Sequence, residues 1–402
     1  MSESTYERSA FDATRTKVGQ TNYNKFFDNT TGKWERLSGS GAPQFIVCGV
    51  SGSIAIPVSA IIDPLQNRLF VTNIPYTYDI SEGNVSGHTP WSKIGYNPAL
   101  VANTEADLWS NAGVYTFPSG ASQMQVLSTS TADTGIMLFS GSSTSGSKTT
   151  LVDTGQNFST VETGDCVILD KSMDGGRTPE WGYVTAVATT TLTVGGGFSS
   201  AGSGLSRNYY VVDKNATNRS GSQAVRIEYL DSNYAQKYEI VILSGSTAMN
   251  TVNTDLFRIN SFRVIAAGSY TKATGNNVVR QVTGVVTGSF ITSGYTRARN
   301  VQYTVPLGKT LYITSFSCAY GFTDTTAKPH YCRMYSKANA ENLTGLNTLD
   351  IFYPYTEVVV SNNTVFIEPN CPTKLPAKTD IKVSAIADAA GIATIAIRGW
   401  LE

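Results

Sequence analysis

Hydrophobic and polar positions alternate with a period of two through most of this chain, the signature of strands with one buried face. The pattern is clearest at 303–313 (YTVPLGKTLYI), 375–385 (LPAKTDIKVSA) and 392–402 (IATIAIRGWLE). These segments predict a self-contained C-terminal β-sandwich over 291–402. Further strands are predicted at 44–50 (QFIVCGV), 53–58 (SIAIPV), 68–72 (RLFVT) and 124–128 (MQVLS), then at 223–231 (QAVRIEYLD), 238–243 (YEIVIL), 257–266 (FRINSFRVIA) and 278–286 (VVRQVTGVV). Only 103–110 offers a plausible short helix.

Two stretches of Gly, Ser, Thr and Asn, at 140–147 and 215–222, bracket a run of short strands: 149–153 (TTLVD), 163–169 (TGDCVIL), 181–187 (WGYVTAV) and 190–194 (TTLTV). Residues 136–212 therefore read as a small inserted β module, barrel-like or a curled sheet. It is looped out of a first β-sandwich built from 44–135 plus 213–290. Residues 1–43 are polar and without period, with Tyr6, Phe11, Tyr23, Phe26, Phe27 and Trp34 scattered among them. They read as an N-terminal arm that orders against a neighbour. The class is all-β, with a jelly-roll-like C-terminal sandwich and few helices.

Composition agrees with strands and turns. Of 402 residues 41% are hydrophobic and only 15% charged, and Gly, Ser and Thr take the place of the missing charges. Thirty basic and thirty acidic residues cancel. That balance gives no general attraction to nucleic acid or to an anionic membrane, and neither is expected as a partner. No apolar run approaches the roughly 20 residues of a membrane span, and the first residues lack the apolar core of a signal peptide. The five cysteines, at 48, 166, 318, 332 and 371, have no Cys-x-x-Cys spacing. They form neither a zinc site nor a disulfide framework, although Cys318 and Cys332 have the spacing to face each other across a hairpin.

Candidate chemistry is sparse. A Ser-His-Asp arrangement needs an imidazole, and the chain has only His88 and His330, without a Gly-x-Ser-x-Gly elbow. Gly195 to Gly197 lie between strands rather than before a helix, so they do not cradle phosphate. Residues 170–176 (DKSMDGG) lack the acidic spacing and closing Glu of a calcium loop. A carboxylate pair for glycoside cleavage is the one catalytic arrangement that sequence leaves open. No catalytic, metal or cofactor-binding residue is assigned, and no cofactor is expected. The 21 tyrosines suit sheet packing, protein interfaces and sugar stacking alike.

Several segments resemble virion structural proteins of tailed bacteriophages: 85–97 (VSGHTPWSKIGYN), 107–109 (DLW), 115–118 (YTFP), 124–133 (MQVLSTSTAD), 225–231 (VRIEYLD), 303–313 and 375–383. In that family the segment ending in Ala-Asp runs almost directly into the Arg-Ile-Glu-Tyr strand, so 136–212 has the place of an insertion. The resemblance implies a virion location, assembly in the bacterial cytoplasm and self-association, and it brings no catalytic motif. The expectation is a non-enzymatic accessory head or neck component: a capsid decoration, vertex or head-fibre, or collar protein. Such a protein forms a trimer or higher ring and docks on capsid, neck or tail subunits through its arm. The alternative is a receptor-binding module of a tail fibre or spike that recognises host surface glycans.

Overall fold

The computed structural model describes residues 25–28, 33–36, 58–63, 68–73, 76–169, 180–195, 198, 207–213, 220–284, 286–322, 330–338, 352–360, 364–369 and 371–402. It divides into two units, Met1–Ile74 and Pro75–Glu402. Within the described residues all strand pairing is antiparallel, and the one helix is Tyr76–Ser81.

Among the described residues of the first unit there are two hairpins. Lys25–Asp28 pairs with Lys33–Arg36, and Val58–Asp63 with Arg68–Asn73. The first lies inside the segment read as an N-terminal arm without periodic structure of its own. Phe26 and Phe27 precede and Trp34 follows an NTTG connection, a turn composition that sequence patterning over so short a span does not separate from coil. The predicted strand at 44–50 lies outside the described residues.

In the second unit, two sheets stack over one core to form a first sandwich. One sheet has Ser222–Leu230 at its centre, flanked by Gln236–Ile242 and Arg258–Ala267. The other runs Met249–Asn250, Met124–Ser128, Asn277–Gln281, Thr287–Ile291. Alternate residues Val225, Ile227 and Tyr229 meet Met124, Val126, Val279 and Ile291 in a shared core. The strand VRIEYL has both faces buried, because its opposite face, with Ala224, also packs against Cys166, Ile168 and Val212 of the inserted module.

Among its described residues the module is a seven-stranded sheet in which one extended segment supplies both edges. Ile136–Ser142 pairs with Asn208–Asp213 at one edge, and Ser145–Gly146 pairs with Thr150–Val152 at the other. Ser143 and Thr144 turn the corner between them, each held by a backbone hydrogen bond, to Arg207 and Val152. The sheet curls around Leu151, Phe158, Leu192, Tyr209 and Val211, and among the described residues no hydrogen bonds between its edge strands close it into a barrel. The buried Tyr209 hydroxyl donates to Asp153 Oδ2 at 2.7 Å.

Among the described residues the C-terminal sandwich has five strands in each sheet. One runs Thr364–Ile367, Leu311–Phe322, Gly391–Leu401, Thr89–Leu100, with Thr373–Leu375 also on Leu311–Phe322. The other runs Tyr303–Thr304, Thr379–Ala387, His330–Ala338, Tyr353–Val360, with Ala106–Asp107 also on Thr379–Ala387. Successive strands repeatedly cross between the sheets, as in a jelly roll.

Two expectations are corrected here. Residues 89–107 belong to the C-terminal sandwich, not to the first one. The pattern on 89–100 fits any half-buried strand, and its partner, Gly391–Leu401, lies at the far end of the chain. Gly95 explains the fit: a Cβ there would stand 2.7 Å from Leu108 O and 3.0 Å from Val301 Cβ. Nor is 103–110 helical. Asn103 has φ 57°, and Ala106–Asp107 pairs with Ser384–Ala385 as a strand.

Candidate functional site

The two sandwiches of the second unit meet along a line of buried polar groups, each dictated by its strand position. Arg258 opens the strand Arg258–Ala267, and its guanidinium forks onto Asp380, Nε to Oδ1 at 3.1 Å and an Nη to Oδ2 at 3.0 Å. Asp380 is fully buried and also accepts from Thr304 Oγ1. The remaining Arg258 Nη donates to Pro118 O, while Phe257 and Phe117 cover the guanidinium plane. Beside it the Asn260 side chain copies a backbone ladder against Thr304, donating to its carbonyl at 2.8 Å and accepting from its N–H at 2.9 Å. Lys93 reaches Asn260 O from the other sheet, and burial pulls its ammonium down to about 8 against the attraction of Glu228.

The groups best placed for chemistry line a cavity of about 300 Å³ on the C-terminal sandwich: Glu105, Asp107, Lys382, Ser384, Val114 and Phe352. The short pairing of Ala106–Asp107 on Thr379–Ala387 assembles it. Asp107 Oδ2 accepts from the Tyr115 backbone N–H at 2.6 Å, and Oδ1 lies 3.4 Å from Lys382 Nζ. Burial raises the Asp107 carboxyl above the usual carboxylate range, only partly opposed by Lys382. Ser384 Oγ donates to Glu105, which also faces Arg333 at 3.7 Å. The Phe352 ring, with Lys382 Nζ 5.1 Å from its centroid, gives the cavity one aromatic wall. Two carboxylates, an ammonium and a hydroxyl around an aromatic face suit hydrogen bonding to a polyol. Asp107 itself is committed to holding the 107–115 loop.

Because the folded protein favours protonated Asp107, its share of stability is largest at low pH and falls as pH rises through the shifted value. Lys382→Met removes the compensating cation and strengthens that trend. We expect the variant to lose more stability relative to the parent at pH 8 than at pH 5, read as urea midpoints.

The residues singled out by sequence are dispersed. His88 lies in the loop before Thr89–Leu100, its Nδ1 3.1 Å from Ser86 O and its ring 6.5 Å from that of Trp400. His330 begins a strand of the opposite sheet. Cys318 is a buried free thiol, and Cys332 is on a strand of the other sheet, so the two do not face each other across a hairpin as their spacing allowed. Residues 170–176 lie outside the described residues, as does most of the N-terminal segment. Tyr115, Tyr209, Tyr229 and Tyr303 are core residues, while Tyr96 and Tyr295 sandwich Arg299 at 3.7 Å on either side.

Sequence reasoning passed over Glu105, Asp107 and Lys382. Nothing local marks them, since pairing of strands some 275 positions apart creates the cavity. Among the described residues no cluster of His, Cys, Asp and Glu is arranged to hold a metal ion, and no helix is long and apolar enough to cross a membrane. No protein-family model matches the chain, and no curated protein sequence matches it.

Proposed function

We propose that this protein is a non-enzymatic structural component of a tailed-bacteriophage virion, an accessory part of the head or neck that associates with copies of itself. The observation that carries this reading is the Arg258–Asp380–Thr304–Asn260 seam. It joins two sandwiches through buried, mutually satisfied polar groups, the arrangement of a body selected for fixed shape. The inserted module shares a core with the same sheet and extends that body. The resemblance of segments 85–97, 225–231 and 303–313 supplies the setting.

The test is recovery from purified particles. Mass spectrometry should find the chain in them, and deleting residues 1–40 should remove it from particles while the remainder keeps its melting temperature. Absence of the full-length chain from particles would sink the proposal; normal incorporation of the shortened chain would sink the arm's docking role. A second reading, recognition of host glycans, is favoured by the polyol-compatible cavity around Lys382. It predicts that the purified protein competes with adsorption of virus to cells.

A further inference from the structure

The sheet Thr364–Ile367, Leu311–Phe322, Gly391–Leu401, Thr89–Leu100 has one face in the C-terminal core, carrying Phe316, Cys318, Tyr320, Ile395 and Ile397. Its other face is built in rows across all four strands. Phe366, Ser317, Ala396 and Ile94 stand side by side, and the next row is Thr364, Ala319, Thr394 and Tyr96. Ile392 lies one row further on, opposite Gly321.

None of Ile94, Ala319, Phe366, Ile392 and Ala396 joins a core among the described residues, and Phe366 is 57% and Ile392 42% exposed. Small residues at the centre leave the face flat, while the exposed Phe and Ile give it apolar contact area. Where this face runs into a groove of about 490 Å³ stand Arg398 and Glu368. Both are exposed, and neither side chain has an ion pair among the described residues.

We propose that this face is the contact between copies of the chain, with Arg398 of one copy meeting Glu368 of the partner subunit at the rim. Area and charge both point to a second copy. Three strands over about eight residues and a fourth, Thr364–Ile367, over four, at a spacing of about 4.8 Å and a rise of about 3.3 Å, present roughly 450 Å² per copy. Two such faces together come close to the ~1,000 Å² that a specific interface needs. A neutral apolar centre with one unpaired charge of each sign at the edge is complementary to itself. Sheets with small side chains at the contact can approach to the usual spacing of about 10 Å. The inference rests on the proposed function for its biological setting and deepens it by naming the self-association surface.

Light scattering on the full-length protein after size-exclusion chromatography tests it. The parent should run with a mass of two or more chains, and Ala396→Glu should return it to one chain at an unchanged melting temperature. If Ala396→Glu fails to fold, Ser317→Lys carries the same test. Val252→Lys, at a position 88% exposed on the first sandwich, should leave the mass unaltered. Arg398→Glu should weaken association about tenfold, and adding Glu368→Arg should restore it. A monomeric parent, or a folded Ala396→Glu protein that keeps the parent mass, overturns the proposal. A chain that associates through this face but is absent from particles sinks the virion reading and leaves the interface standing.

Discussion

Arg258→Ala should destabilise the second unit by about 3–5 kcal/mol, the usual penalty for leaving one member of a buried ion pair uncompensated. The loss is large because three acceptors depend on one guanidinium: both oxygens of Asp380 and the Pro118 carbonyl. Asp380 would keep only the Thr304 hydroxyl, in a site with no access to water. Arg258→Lys should recover little, since an ammonium is a point donor and cannot fork onto a carboxylate. Replacing the pair together, as Arg258→Met with Asp380→Leu, should cost much less than either single change. Hydrogen exchange read strand by strand is the suitable measurement, because a multi-sandwich chain need not unfold in one step. Protection should fall first at Tyr303–Thr304 and at the start of Arg258–Ala267. A single-mutant loss below about 1 kcal/mol would show that the seam is not what holds the sandwiches together.

The second large effect is expected at Asp133, which ties the base of the inserted module. Its buried carboxylate accepts from the backbone N–H groups of Ser222, Thr274 and Gly275 and from the hydroxyls of Ser128 and Thr274, all at 2.6–2.9 Å. The chain leaves the first sandwich beside Asp133 and returns at Ser222, so one side chain fixes both crossings. Asp133→Ala should cost about 4 kcal/mol or more, as each stranded buried donor is worth about 1–3 kcal/mol. Gly221→Ala should fail in the same way from the other side, since its Cβ would stand 1.9 Å from Asp133 Oδ1. Limited proteolysis should then cut near 130–135 and 220–222, releasing the module while Thr379–Ala387 stays protected. Parent-like resistance in both variants would remove Asp133 from this role.

Much of the strand content was legible because period-two alternation is a local property. Segments 223–231 and 257–266 are strands where their Val, Ile and Phe positions predict them, whereas the Gly/Ser stretch at 140–147 belongs to the module's own sheet, in Ile136–Ser142 and Ser145–Gly146, rather than to a linker at its border. Pairing was not legible. Residues 89–100 and 106–107 carry no local sign that their partners lie near the C-terminus. The expected helix at 103–110 fails because Asn103 adopts a left-handed turn and Ala106–Asp107 finds an edge to join, a tertiary contact overriding weak local preference. The cavity around Asp107 and the seam at Asp380 were hidden for the same reason. A lone Asp in a strand pattern looks the same whether it will face water or be buried against a guanidinium.

The pairing of Thr89–Leu100 with Gly391–Leu401 also constrains how the protein is born. Thr394 Oγ1 bonds Gly95 O across a separation of 299 residues. At a synthesis rate of about 5–20 residues per second, the first of these strands waits roughly 15–60 s at the ribosome for its mate. Meanwhile the first sandwich and its module can complete themselves from chain already made. A message truncated before the codons of Gly391–Leu401 would yield a polypeptide whose jelly roll lacks this central strand and never closes, leaving a raw edge for the cell's proteases to find.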